Sequence, residues 1–285
     1  MGEAPFLATF AKKKKRTKQR CMAMLTHYRL NFMAGLFLAL AFCLTSFGEG
    51  GAMAVKAETD VVGDETKTEL AVLQRWEAGR QVSARSVERF GLDKCFVAEK
   101  IDERTFKRME GRSFKSGCTT PRSDLRYLKV LHRTKDGRIQ LGEMVCHKDI
   151  SADLLDIFKQ LYEARYPIER MVLIDNYNAD DEASMAANNT SCFNFRRIGG
   201  SSKPSKHGLG KAVDINPLYN PYVKRKADGR VVVNPKSGKP YVNRSKTFDY
   251  KIVCGDLCHT LFMKHGFRWG GGWRSLKDYQ HFEKP

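Results

Sequence analysis

The sequence predicts an α+β fold, in which an antiparallel sheet and packed helices form a single domain over residues 95–285. Two apolar-rich runs, 126–134 and 139–147, flank an Asp-Gly turn and predict a β-hairpin. Residues 151–167 carry apolar side chains at helical spacing and predict an amphipathic helix. Strands and helices then follow without a regular β-α repeat, which favours an antiparallel over a parallel sheet.

The remaining elements can be placed in order along the chain. We expect the first helix to have Ser151 as its cap and to stop at Pro167. A buried strand is predicted at 170–175, a polar loop at 178–191, and two further strands at 192–198 and 211–217. A flexible loop, 199–206, joins these two strands. A second helix is predicted at 254–266 and closes at Gly266.

The start of the chain has the composition of an export signal. A basic run at 12–20 precedes an uncharged apolar run at 30–48, and small residues follow at 52–54. We therefore predict that residues 1–54 are a signal peptide or an N-terminal membrane anchor and that the protein is exported to the periplasm, the cell envelope or the medium. The segment before the apolar run is long for a signal peptide, so Met22 and Met24 are alternative translation starts. Residues 55–94 are polar and predict a linker, either a tether or a loosely packed helix, rather than a domain.

The chain is strongly basic, with a formal net charge of +18. Its first 30 residues hold eight Lys or Arg side chains and one acid, and a second basic concentration lies at 224–251. For an exported protein the nearest polyanions are the cell wall and lipid headgroups, so this patch is expected to attract the anionic wall rather than nucleic acid. An ordinary solvated face is an equally good reading. Six cysteines after the leader permit disulfides, with no pairing indicated.

Two of the seven histidines, His207 and His281, are candidates for metal ligands because of the carboxylates that accompany them. His207 is followed by Asp214 at the start of an apolar strand, and His281 is preceded by Asp278 in a short aromatic segment. A catalytic zinc site takes three N or O side chains and leaves a fourth position to water. His207, Asp214 and His281 would supply that set, and Asp278 would stand beside it as a proton acceptor.

These residues belong to two short motifs. The pattern Ser-x-His-x-x-Gly-x-Ala-x-Asp is formed by Ser205, His207, Gly210, Ala212 and Asp214, and an acid-x-x-His pattern by Asp278 and His281. With them the chain resembles the zinc peptidase family of D-alanyl-D-alanine carboxypeptidases and L-alanyl-D-glutamate endopeptidases, from about residue 101 onward.

The resemblance implies a small α+β domain that binds Zn²⁺ and cleaves peptide bonds of peptidoglycan stem peptides by attack of a zinc-bound water. By position, it implies that the metal ligands are His207, Asp214 and His281 and that the base is Asp278. The family also has an arginine upstream of the first ligand, which contacts the substrate. Arg196 and Arg197 are the candidates, and Arg196 fits the family's Phe-Asn-aromatic-Arg pattern.

Ser205 and Trp273 complete the candidate site as substrate-binding residues, although Ser205 could equally order its loop and Trp273 could be aromatic core. The exact bond stays open between a terminal D-alanine and an L-Ala to D-Glu linkage, and Asp278 slightly favours the endopeptidase type. The alternative function is a catalytically inactive, zinc-stabilised module that binds the cell wall. The presence of Asp278 argues against this alternative, because a catalytically inactive site would tolerate the loss of that residue.

Overall fold

The largest sheet of the protein is built around the predicted hairpin. The computed structural model of the chain describes residues 65–199 and 201–285. Strands β3 (Leu125–Arg133) and β4 (Ile139–His147) pair antiparallel along their whole length. Strand β1 (Gln81–Val82) joins β4, and β2 (Val97–Lys100) joins β3, so the order is β1-β4-β3-β2. The Asp-Gly turn therefore sets the register of this sheet as the sequence predicts.

Both faces of this sheet are buried. Side chains alternate between the two faces along a strand, so each face contributes to its own core cluster. Even-numbered residues of β3 such as Leu128 and Val130 pack with the apolar side of helix α4 (Lys148–Glu163) in one core cluster. Odd-numbered residues such as Leu125 and Leu131 belong to a second cluster on the opposite face. These four side chains are all 0% exposed, so the hairpin is the centre of the core.

Residues 65–94 are part of this core, which differs from the predicted linker. A helix at 65–75 (α1) and helix α2 (Ala84–Phe90) supply Val72, Leu73 and Val87 to the second cluster. Trp76 donates from Nε1 to the carbonyl oxygen of Gly142 at 2.9 Å. The linker prediction is wrong here because these few apolar anchors are diluted by charged neighbours. The predicted leader, 1–54, and linker residues 55–64 lie outside the described residues.

Helix α4 begins earlier than predicted. It starts at Lys148 rather than after Ser151, and His147 is its cap: the Nδ1 atom of His147 accepts a hydrogen bond from the backbone N–H of Asp149 at 3.2 Å. Ser151 instead donates its hydroxyl to the Lys148 carbonyl at 2.8 Å. The strand and the helix therefore meet without an intervening loop.

Two segments predicted as strands are not paired into a sheet, and the first of them ends in a 3₁₀ helix, Ile174–Tyr177. In 170–175, the side-chain amide of Asn189 takes the place of a neighbouring strand, since it accepts from Val172 N at 2.9 Å and donates to Val172 O at 3.0 Å. In 192–198, the N–H groups of Phe193, Asn194 and Phe195 donate to three different segments. Apolar composition alone does not distinguish such buried extended backbone from a strand.

The predicted polar loop at 178–191 contains helix α5 (Asp181–Ala186). The side chain of Asp180 caps it by accepting from Ala183 N at 2.9 Å. A short helix α3 (Glu103–Met109) precedes the hairpin in the same way, with Asp102 as its cap. Both helices are too short to show a clear apolar period, so their caps are the main signal in the sequence.

The C-terminal part of the chain forms two small antiparallel sheets. Strands β5 (Ala212–Asp214), β10 (His281–Glu283) and β8 (Arg268–Trp269) pair in the order β5-β10-β8. Strands β7 (Val231–Asn234), β6 (Tyr222–Arg225) and β9 (Lys277–Asp278) pair in the order β7-β6-β9. Helix α6 (Leu257–Lys264), capped by Asp256, packs on the first core cluster. The predicted α+β class with antiparallel sheets is confirmed.

The six cysteines among the described residues are all free thiols. Within 65–199 and 201–285, no helix is both long and apolar enough to cross a membrane.

Candidate metal centre

The pairing of β5 with β10 brings the three candidate ligands together. Its register sets Asp214 opposite His281, and opposite residues in an antiparallel pair have Cβ atoms about 4.5–5.5 Å apart. The loop before β5 brings His207 to the same place. His281 Nδ1 lies 3.0 Å from Asp214 Oδ1, while His207 Nε2 lies 3.2 Å from His281 Nδ1 and 3.3 Å from Asp214 Oδ1. All three residues are buried.

This arrangement of donor atoms fits a tetrahedral zinc ion. Bonds of the usual Zn–N and Zn–O length at tetrahedral angles place ligand atoms about 3.3–3.4 Å apart, close to the 3.0–3.3 Å found here. Two imidazoles and one carboxylate are a donor set that catalytic zinc sites use. Across the described residues, His207, Asp214 and His281 are the one group of His, Cys, Asp or Glu side chains whose ligand atoms lie within 4.8 Å of one another.

The groups behind the two imidazoles select the nitrogen that faces the centre. His207 Nδ1 lies 2.7 Å from the Cys192 carbonyl oxygen, which can only accept, so Nδ1 carries the proton and Nε2 keeps its lone pair. His281 Nε2 lies 3.2 Å from Glu283 Oε2, and the same reasoning leaves His281 Nδ1 as the donor atom. Neither Cys192 nor Glu283 was identified from the sequence.

Burial and pairing shift the protonation of the ligands in opposite directions. Burial raises the pKa of Asp214, but His207 and His281 outweigh it and hold this pKa well below its usual range. Burial lowers the pKa of His281, whereas hydrogen bonds with Asp214 and Glu283 raise it, to a net value of about 10. A metal ion must therefore displace a proton from this pair, so its binding is expected to strengthen as pH rises.

Asp278 faces the same cavity from β9. Its register partner is Tyr222 on β6, and its Oδ1 atom is shielded from solvent without a hydrogen-bond partner. Burial, together with the charge of Asp214, raises the pKa of Asp278 to about 6 although His281 opposes the shift. A buried oxygen left without a donor destabilises the fold by about 1–3 kcal/mol. The structure thus keeps a carboxylate available for a proton or a ligand.

Two glycines allow the backbone to close around the site. Gly210 has a φ of +67°, and a Cβ atom there would lie 2.8 Å from the backbone nitrogen of His147. A Cβ atom on Gly270 would lie 2.7 Å from the Asp278 carbonyl oxygen and 3.3 Å from His281 Cβ. Any larger residue would push these loops away from the centre.

The three ligands line a cavity of 360 Å³. Its other polar lining residues include Asp181, Arg196, Ser205, Asn234, Asp278 and Gln280. Of the two candidate arginines, Arg196 is in this lining, where its guanidinium lies 2.9 Å from Asp181 Oδ2. Arg197 is exposed and forms a backbone bridge with Pro204 instead. Asp181 was missed because it lies in the segment predicted as a loop.

Ser205 and Trp273 both support the ligands from outside the centre. The hydroxyl oxygen of Ser205 accepts from the Gly208 N–H at 3.0 Å and so orders the turn that carries His207, although Ser205 also lines the cavity. The Trp273 ring packs on the His281 ring with centroids 5.4 Å apart, and it lies outside the cavity lining. These contacts favour structural roles for both side chains.

The fold and the site define a small α+β domain with a candidate centre of two imidazoles and one carboxylate. Residues 199–284 match the family model of the D-alanyl-D-alanine carboxypeptidases, which confirms the resemblance drawn from the two motifs. The match includes all three ligands and Asp278 but begins after Arg196, so the role of Arg196 depends on its position in the cavity. No match was found among curated proteins or among solved structures.

Proposed function

We propose that this protein is a zinc peptidase that hydrolyses peptide bonds in peptidoglycan stem peptides. The proposal is carried by the convergence of His207 Nε2, Asp214 Oδ1 and His281 Nδ1 at 3.0–3.3 Å in a cavity that also holds an unpartnered carboxylate. The family match supports the substrate class, because that family model describes carboxypeptidases acting on D-alanyl-D-alanine.

The ion would be held by the two histidines and Asp214. When bound, Zn²⁺ supplies a Lewis acid that polarises the scissile carbonyl and lowers the pKa of a water molecule. Asp278 then accepts the proton of the attacking water at its free Oδ1 atom and passes it to the leaving amine. The raised pKa of Asp278, about 6, suits a group that must take up and release a proton near neutral pH.

Arg196 supplies positive charge to the lining of the cavity. Its ion pair with Asp181 fixes the guanidinium, which can then donate to a carbonyl or to a terminal carboxylate of the substrate. Loss of one such donor from a preorganised site typically costs about 3 kcal/mol of transition-state stabilisation. Among the two bond types, the family match favours removal of a terminal D-alanine.

The activity can be tested with the full-length protein, Zn²⁺ and a defined stem pentapeptide, with the products weighed by mass spectrometry. We expect loss of one alanine residue from the substrate, and no loss with Asp278→Asn. Cleavage between L-Ala and D-Glu would support the same site with the endopeptidase specificity. A zinc-loaded protein that cleaves neither bond would contradict the enzymatic function and favour the inactive wall-binding module.

Export and wall contact belong to the same proposal. The structure removes Arg244 from the set of free surface charges in the basic patch. Its guanidinium donates to the backbone carbonyls of Tyr219 and Ile252 at 2.7 and 2.8 Å. Four exposed cations of the patch lie on the β6–β7 hairpin, Lys224, Arg225, Lys226 and Arg230, and three more follow it, Lys236, Lys239 and Lys246. Sedimentation with purified cell walls should weaken with added salt. Binding that is independent of salt would contradict an electrostatic contact.

A further inference from the structure

Glu283 occupies a special position relative to one of the proposed ligands. It lies two residues after His281 on β10, and alternate side chains of a strand share a face. Both residues line the cavity, while Phe282 between them is buried in the core at 0% exposure. Glu283 Oε2 approaches His281 Nε2 to 3.2 Å, on the side of the ring away from Asp214.

We propose that Glu283 is a positioning residue, which holds His281 in the tautomer and ring orientation that a metal ion requires. This inference rests on the zinc site of the proposed function. It concerns the hydrogen bond at His281 Nε2, and it assigns Glu283 neither metal binding nor contact with the substrate.

The need for Glu283 follows from a competition for one proton. His281 must give up one proton to bind a metal, and in the resulting neutral imidazole only the nitrogen without the proton can bind. Asp214 Oδ1 lies 3.0 Å from His281 Nδ1, so Asp214 alone would favour a proton on the nitrogen that has to face the metal. Glu283 offers an acceptor at Nε2 and draws the proton to that side.

The second histidine of the centre does not depend on a side chain in this way. The acceptor for His207 Nδ1 is the backbone carbonyl of Cys192 at 2.7 Å, which every variant with the same fold retains. The fold therefore fixes the tautomer of His207, whereas one carboxylate fixes that of His281. A substitution at position 283 changes one ligand and leaves the other as an internal reference.

The surroundings of Glu283 keep its carboxylate in place. Its register partner on β8 is Arg268, and Lys206 lines the same cavity. The side chain of Glu283 is 23% exposed, so it is largely shielded from water while it contacts the histidine.

The proposal is tested by measuring Co²⁺ and Zn²⁺ affinity of the full-length protein at one fixed pH. We expect Glu283→Ala to weaken metal binding by about 10–100-fold, the usual effect of losing such an outer partner. Glu283→Gln should recover part of this loss, because its amide oxygen still accepts. The Co²⁺ absorption bands should change in the alanine variant, since the His281 ring is no longer held. Glu99→Ala, which removes an exposed carboxylate paired with Lys129, is the matched control and should bind like wild type.

The two proposals fail in different ways. A folded Glu283→Ala variant with wild-type affinity and an unchanged Co²⁺ spectrum would overturn the positioning role and leave the peptidase proposal intact. If the alanine variant does not fold, Glu283→Met, which keeps the length of the side chain but has no accepting oxygen, decides: equal affinity there would overturn the role and a several-fold loss would support it. A wild-type protein that binds neither ion would contradict the proposed function and this inference together.

Discussion

Two buried carboxylates show how differently the two regions of the domain use their polar groups. Glu143, on β4 of the large sheet, accepts from both terminal nitrogens of Arg108 at 2.8 and 2.5 Å, from Tyr127 Oη at 2.6 Å and from Leu173 N at 3.2 Å. Asp278, beside the metal centre, keeps an oxygen without any donor. A saturated carboxylate holds a fold together, while an unsaturated one is available to a ligand.

The two regions also differ in the length and pairing of their strands. The hairpin strands of the large sheet are nine residues long and pair throughout, so each side chain has a fixed neighbour. The six strands around the centre are only two to four residues long and end in turns. Short strand ends can present several polar side chains to one cavity, at the cost of regular pairing.

The largest effect is expected from Asp278→Asn. It should lower kcat by about 10²–10⁴-fold, because the asparagine cannot accept a proton, while zinc content stays at the wild-type level. In wild type, kcat/KM should rise as pH increases through about 6, since burial raises the pKa of Asp278 to that value and only its ionised form is a base. Stopped assays from pH 4.5 to 8 check both points. Activity within a few fold of wild type would remove Asp278 as the base.

The next largest effect is expected from Arg196→Ala, and it extends the comparison of the two regions to their paired arginines. Arg108 is paired with the buried Glu143, whereas Arg196 is paired with the half-exposed Asp181 beside the cavity. Arg196→Ala should reduce kcat by about 10²–10³-fold through loss of a donor to developing charge. Arg197→Ala, one residue further on and exposed, is the control and should retain activity. Equal losses in both variants would argue against a specific role for Arg196.

Glu143→Gln should lower the stability of the protein and leave its zinc affinity unchanged. Removal of one partner leaves Arg108 without its counter-ion, so the free energy of unfolding should fall by about 3 kcal/mol, measured by urea titration. The Arg108 side chain is 35% exposed, which places the value at the lower end for buried pairs. Zinc affinity should not change. Asp278→Asn should leave stability unchanged or raise it, and a large loss there would contradict the division between the two regions.

The smallest effect is expected from Ser205→Ala. Its hydroxyl orders the turn before His207 through one hydrogen bond to Gly208, which is worth about 1 kcal/mol. Activity should therefore drop only about fivefold. A loss of three orders of magnitude would instead indicate that Ser205 takes part in the reaction.

The elements that the sequence predicts correctly are those encoded by a local pattern of residues. The hairpin follows from an Asp-Gly turn between apolar runs, and β5, with Asp214 on it and His207 in the loop before it, follows from the motif. The burial of Val72 and Leu73 depends on strands that come later in the chain, so the composition of residues 65–94 does not reveal their place in the core. The apolar run 170–175 predicts a strand, but the backbone of Val172 pairs with the side-chain amide of Asn189 instead of a neighbouring strand.

Of the two outer partners of the site, the Cys192 carbonyl could not be predicted, for a related reason. The Cys192 carbonyl reaches His207 only because of the tertiary path of 192–198, in which consecutive N–H groups bond to different segments. Glu283 did carry a signal, since it lies two residues from a candidate ligand on the same face of a short strand. Strand periodicity applied to the motif would have identified it.

The most direct test of the account is the metal content of the purified full-length protein after dialysis, measured by mass spectrometry of the elements. We expect one zinc ion per chain in wild type and in His259→Ala, whose side chain accepts from the Gly255 N–H outside the cavity. We expect none in His207→Ala or Asp214→Ala. Wild-type protein without zinc, or ligand variants that retain it, would contradict the central claim that these side chains form a metal site.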